Sequence, residues 1–338
     1  MFVPLFLASP VRAGDWEDYR AAHPKESPCD AHVRTALLST DKGENEKALK
    51  SFAGAEKGGC LAEDGLALAK AAFLNRLEGD SARAKELYEK ALPLLEKDYP
   101  THSVRVGALY NLAYLIESEG RYDEAASRYE EALKIDPAFQ NARTSLKSLH
   151  VKLCRSKLKE KKGKDALSHA EQALLLQEEL DKGLTEKNED ARREVLLLLV
   201  RAYDMSGAPE KAKNITKEII PLADARTAEE VGAFWADPSR EGFDLAEEAL
   251  KKAASLDTKR TAPLTQLAGL YESKEKWLEA AKAYEDASKR KPKDPDLVYA
   301  MGYALFQGGD KKKAKEAFGK VLSLDPSHSD ARDALSQF

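Results

Sequence analysis

Residues 261–294 read TAPLTQLAGLYESKEKWLEAAKAYEDASKRKPKD, and residues 295–328, which follow at once, read PDLVYAMGYALFQGGDKKKAKEAFGKVLSLDPSH. Aligned, these two 34-residue stretches carry the same residue types at positions 4, 7, 8, 11, 20, 24, 27 and 32. In the first these are Leu264, Leu267, Ala268, Tyr271, Ala280, Tyr284, Ala287 and Pro292. In the second they are Val298, Met301, Gly302, Leu305, Ala314, Phe318, Val321 and Pro326. Residues 106–139 fall into the same frame, with Leu109, Leu112, Ala113, Ile116, Ala125, Tyr129, Ala132 and Pro137.

At about 100° per residue, positions 4, 7, 8 and 11 form one stripe on a first helix, and positions 20, 24 and 27 form one stripe on a second. The small residues at 8 and 20 let the two helices approach; a large side chain there would force them apart. Proline at 32 ends the second helix. Glycine in the turn between the helices, as at Gly120, Gly207 and Gly309, fits a chain that reverses sharply.

Working outward, weaker copies start at 65, 147 and 193, and the poorest at 29 and 227. In the frame at 227, Ala246, Leu250 and Ala253 fit, but Asp237-Pro238 interrupts the first helix. The starts are then 29, 65, 106, 147, 193, 227, 261 and 295, with a strict spacing of 34 from 193 onward and longer units before it. Residues 329–338 read as a capping half-helix, and residues 14–28 as an N-terminal segment outside the array.

Position by position, this pattern resembles the tetratricopeptide repeat. The unit with the Asp98-Tyr-Pro-Thr-His102 connection is similar to the lengthened repeats of the kinesin-light-chain type. The resemblance implies an all-α solenoid of about eight helical hairpins, wound as a right-handed superhelix, whose concave face receives other proteins. It also implies that positions 2, 5, 9, 12 and 13 of each first helix line that face. Those positions supply Phe73 and Arg76, then Tyr110, Tyr114 and Glu117. They also supply Arg155, Arg201, Asp204 and Trp235, then Tyr299, Tyr303 and Phe306. Tyrosine and tryptophan suit a binding face, because they offer apolar area and a polar tip at low entropic cost. Trp277 and Tyr122, at position 17, are expected to pack internally.

Composition agrees with a helical interaction protein. The 338 residues are 43% hydrophobic and 33% charged, with a formal net charge of −4. Acidic and basic residues are interspersed, and no basic face of the kind that neutralises phosphates stands out, so nucleic acid is not an expected partner. No apolar run is long enough for a membrane-spanning helix. Cys29-x-x-His32 with Cys60 offers three soft ligands where a structural zinc site usually takes four with tighter pairing, and nucleophile elbows and phosphate-binding loops are missing from the sequence, so neither catalysis, a metal, a cofactor nor a small-molecule ligand is expected.

Two features concern location. Residues 1–13 are apolar and end in Ala13 before Gly14, which reads either as the end of an export signal or as an apolar tail. Cys29 and Cys60 fall at the two ends of the first hairpin, where antiparallel helices bring chain ends together, so a disulfide is expected in an oxidising compartment. Export to a periplasmic or extracellular space follows from both; a cytoplasmic protein is the other reading. The expected role is a scaffold that holds a peptide or helix of a partner protein. The alternative is a structural subunit of an envelope or secretion assembly.

Overall fold

The computed structural model describes residues 14–25, 30–182, 184 and 188–338, and these contain helices and turns but no strand. They divide into two compact units, residues 1–153 with 172–184 and residues 154–171 with 185–338.

The N-terminal unit opens with α1 (Asp15–Ala22). Three hairpins follow: α2 (Asp30–Asp41) with α3 (Asn45–Lys57), α4 (Gly65–Leu77) with α5 (Ser81–Asp98), and α6 (Ser103–Ser118) with α7 (Tyr122–Ile135). The boundary between units falls inside α8 (Gln140–Lys159) and α9 (Gly163–Asp181). The C-terminal unit continues with α10 (Glu189–Met205) and α11 (Pro209–Leu222), then α12 (Ala225–Trp235) and α13 (Phe243–Leu256). It ends with α14 (Ala262–Glu272) and α15 (Trp277–Arg290), α16 (Pro295–Gln307) and α17 (Lys311–Leu324), and a short α18 (Ser329–Leu335).

The small residues sit where two helices must touch. Ala113 and Ala125, like Ala268 and Ala280, are fully buried. A Cβ added to Gly302 would lie 2.9 Å from the Phe318 ring, and one added to Gly232 would lie 2.5 Å from Leu250 Cγ. The second helices bring the large residues: Tyr88, Tyr129 and Phe318 are sealed inside at equivalent places. Burying side chains of that size is worth roughly 2–3 kcal/mol each against exposure, which drives the pairing of helices that are individually too short to persist in water.

Capping fixes the ends. Asp64, Asp80, Asp224 and Asp310 accept hydrogen bonds from backbone N–H groups three residues on, at 2.6, 2.9, 2.7 and 3.1 Å. Most hairpin turns close by a bond from the residue after the turn to a carbonyl five residues back, as in Ala208 N–H to Tyr203 O and Asp310 N–H to Leu305 O, both 2.9 Å. That geometry puts one residue in the left-handed region. Glycine fills it at 207 and 309, but Lys161 and Glu275 fill it in two other turns, with φ of 58° and 54°.

The hairpin of α12 and α13 departs from the expected frame. Its buried first-helix residues are Ala228, Val231, Gly232 and Trp235, so this helix's frame starts at 225 rather than 227. Asp237-Pro238 does not interrupt the helix; it lies in a connection extended to residues 236–242.

Candidate functional site

In the C-terminal unit the end of α8, α10 and α12 present one side to solvent and leave a groove of about 1000 Å³ between them. Each is a first helix of its hairpin, and its other side is committed to the core through residues such as Leu196, Leu199 and Val200 on α10. The residues left over line the groove. Leu197, Met205 and Phe234 give it apolar patches, and Met205 is well exposed.

Charged pairs run from helix to helix across this surface. Arg155 Nη2 donates to Glu194 Oε1 at 2.6 Å, joining α8 to α10. Arg201 pairs with Glu230, joining α10 to α12. Arg240, in the connection after α12, donates from Nε to Asp204 at 2.9 Å and lies 4.1 Å from the centre of the Phe234 ring. Six basic residues (Arg155, Lys159, Arg193, Arg201, Arg226 and Arg240) line the groove with five acidic ones (Asp190, Glu194, Asp204, Asp224 and Glu230). The net field is therefore small, and discrimination would come from the spacing of charges rather than their sum. The members of the Arg155 and Arg201 pairs are exposed enough that each pair contributes little to stability, about 0–1 kcal/mol. Such pairs can be traded for a partner's carboxylates or peptide groups at little cost to the fold.

Three of the residues expected on the concave face, Arg155, Arg201 and Asp204, meet in this groove. Glu194, Leu197 and Met205 belong with them and were not singled out, although they occupy positions 2, 5 and 13 of the frame at 193. Glu230 and Phe234 fall at positions 6 and 10 of the frame at 225, outside the positions expected to face the groove, and Arg240 lies in a connection. Trp235 is corrected by the shift of that frame from 227 to 225. It stands at core position 11, is 1% exposed, and donates its indole N–H to Thr216 Oγ1 at 2.8 Å. It is closed to a partner.

The other expected residues fall at separate places. In the N-terminal unit the Arg76 guanidinium lies 5.9 Å from the Phe73 ring and 5.8 Å from that of Tyr114, which is 47% exposed. These three form a small aromatic and cationic patch on α4 and α6. Tyr110 does not share it: the ring is half-buried, 5.7 Å from Tyr129 and 5.5 Å edge-on to Phe139. Glu117 accepts from the Tyr129 hydroxyl at 3.2 Å. At the C-terminal end, Tyr299 stacks on His328 at 4.9 Å and Phe306 packs edge-on to Phe338 at 5.5 Å, so both rings serve the closing helix α18. Tyr303 stays 43% exposed, with its ring edge-on to Trp277 at 6.3 Å. Tyr122 lies under the Lys152 ammonium at 4.2 Å.

Cys154 is a free and fully buried thiol; burial pushes its pKa up to about 11, which makes it unreactive at neutral pH. Cys60 takes the form of a half-cystine. Cys29, expected as its partner, and the apolar stretch 1–13 lie outside the described residues. Among the described residues no group of three or more His, Cys, Asp or Glu is arranged to hold a metal ion, and no helix is long and apolar enough to cross a membrane.

Residues 65–138 match the tetratricopeptide-repeat family, and so do residues 273–338. Among solved structures, a chain of the Naa15/Naa10 complex bound to HypK is similar over 90% of this chain and 43% of its own length, at 17% identity and a TM-score of 0.54. The MamA protein is similar over 54% of this chain and 94% of its own, at 21% identity and a TM-score of 0.38. The TPR2AB domain of yeast Sti1, solved as a complex with pHSP90, is similar over 82% of this chain and 97% of its own, at 13% identity and a TM-score of 0.43. At these identities the likeness is one of fold. No curated protein sequence matches the chain.

Proposed function

We propose that this chain, a tetratricopeptide-repeat protein, is a scaffold that binds a segment of a partner protein in the groove of α8, α10 and α12. The observation that carries the reading is the row of charge pairs laid across the groove beside apolar residues, Arg155 with Glu194 and Arg201 with Glu230, both exposed and running from helix to helix, and the less exposed Asp204 with Arg240 of the connection. An extended peptide or helix of alternating charge replaces those contacts with its own and sets its apolar side chains on Leu197 and Phe234. Binding rather than catalysis is the role this surface supports.

Peptide display against the full chain tests this. Selected sequences are expected to be rich in mixed charge with an apolar anchor, and to lose binding to an Arg201→Ala/Phe234→Ala chain whose unfolding is little changed. Peptides that bind wild type and variant alike would place the binding surface elsewhere.

We also propose that the protein works in an oxidising, exported setting, in keeping with the half-cystine at Cys60. Cell fractionation that finds the native protein only in the cytosol would refute this.

A further inference from the structure

The helix α1 belongs to none of the hairpins, yet it is ordered against the first helices of the N-terminal unit. At eight residues it is too short to be helical in water on its own, so its structure comes from what it touches. Those contacts combine specific polar pairs with two aromatic rings, Tyr19 buried in the hydrophobic core and Trp16 packed against it. Asp15 meets Lys70 of α4 at 2.5 Å, and both side chains are almost completely buried. Trp16 lies beneath the Arg34 guanidinium of α2 at 5.5 Å. The Tyr19 hydroxyl donates to Asp30 at 3.3 Å, and Asp18 meets His102, the residue that caps α6, at 3.0 Å.

Arg34 and Lys70 occupy the same repeat position, 6, on successive first helices. They are a pair of cations presented in register by two neighbouring hairpins. Lys70 is followed one and two turns along α4 by Phe73 and Arg76, the beginning of the open patch that Tyr114 completes. The surface under α1 thus leads along α4 to a partly exposed one of similar chemistry, in which Tyr114 is the most open residue.

A buried ion pair is a poor source of net stability, because desolvation consumes most of its attraction, but it specifies register strongly. An eight-residue segment held by such pairs and two rings is well placed over a small area. We propose that the face formed by α2, α4 and the start of α6 is a helix-binding surface, that α1 is its resident, exchangeable occupant, and that the partner it admits is a short amphipathic helix of acidic and aromatic residues. Such a helix sets a carboxylate on Lys70 and an aromatic ring under Arg34, as α1 does. It then continues over Phe73, Arg76 and Tyr114, contacts α1 is not seen to make. This surface is independent of the groove between α8, α10 and α12.

The probe is a fluorescent peptide of residues 14–25, GDWEDYRAAHPK, added to the full chain and to a full chain carrying Asp15→Ala, Trp16→Ala and Tyr19→Ala, which frees the surface. The peptide is expected to bind the substituted chain about tenfold or more tighter than wild type. A further Lys70→Met substitution is expected to abolish binding, while Arg201→Ala has no effect. Equal binding to both chains, no binding to the substituted chain, or binding indifferent to Lys70→Met would each overturn the proposal. Hydrogen exchange on unaltered protein gives a second reading that does not depend on the variants. Amides of α1 are expected to exchange far ahead of those of α4, and equal protection would make α1 a fixed part of the core.

Discussion

The Trp235 indole N–H donates to Thr216 Oγ1 across 2.8 Å, joining α12 to α11 inside the C-terminal unit. Thr216 is fully buried and donates its own hydroxyl hydrogen to Ala212 O at 2.8 Å, so its oxygen serves both neighbours at once. Gly242 closes the other side: a Cβ there would lie 2.2 Å from the indole ring.

Trp235→Ala removes the ring and leaves the Thr216 oxygen without its donor. The expected cost is roughly 3–5 kcal/mol. Because repeat arrays need not unfold in one step, the measurement is hydrogen exchange resolved along the chain, with loss of protection centred on α11 to α13. Loss below about 1 kcal/mol would mean the ring is not part of the core. Gly242→Ala should act on the same helices by collision with the ring.

Left-handed turn residues make a second prediction, and it has opposite signs at equivalent places. Lys161 and Glu275 hold the conformation that glycine holds at 207 and 309. For a residue with a Cβ this costs about 1–2 kcal/mol, part of which glycine gives back through the greater freedom of its unfolded chain. Glu275→Gly and Lys161→Gly are therefore expected to stabilise by about 0.5–1 kcal/mol, and Gly309→Ala to destabilise by about 1 kcal/mol or more. Denaturant midpoints for the three variants check this; a loss of stability at Glu275→Gly would contradict it.

These elements show what could be read in advance. Small residues recurring at fixed spacing, such as Ala268 with Ala280 and Ala113 with Ala125, are local constraints where paired helices touch, so the architecture was legible. Trp235 was misplaced because two extra residues were assigned to the wrong side of it. Helix and connection can trade length without changing the second helix, and Ala246, Leu250 and Ala253 gave no warning. The packing of Tyr110 on Phe139 and of Tyr299 on His328 depends on how a neighbouring element returns over the ring, which periodicity does not encode. The pairing of Asp15 with Lys70 joins parts of the chain outside any shared repeat, and had no signal beyond an acidic, aromatic segment.

The half-cystine at Cys60 leads to a third prediction. Cys154 is free, and Cys29 is the remaining cysteine of the sequence. Mass spectrometry of unreduced protein is expected to find a Cys29–Cys60 peptide pair. Reduction should then lower the stability of the first hairpin by roughly 3–4 kcal/mol, the loop-closure entropy of a ring of that size. Two free thiols in protein purified from its native compartment would remove both this bond and the chief support for an oxidising setting.

The last prediction concerns pH and follows from the charge count beneath α1. Two carboxylates, Asp15 and Asp41, share Lys70, with Glu17 also nearby. Burial first, and then the Asp15 charge, push Asp41 up to about 6 from an ordinary 3.8. A carboxyl with a raised folded-state pKa binds its proton more tightly folded than unfolded. Its contribution therefore favours the folded state below the unfolded value and is lost as pH rises from about 4 to about 6. Above that window the ionised Asp41 opposes the docking of α1. Asp41→Asn keeps the shape and removes the charge, so it is expected to strengthen protection of α1 at pH 7 and to change little at pH 4. The carboxylates that stabilise the fold elsewhere titrate alike in both proteins and cancel in the difference, which isolates this one group. A difference between the two proteins that stayed constant from pH 4 to 7 would show that Asp41 is not the group that titrates.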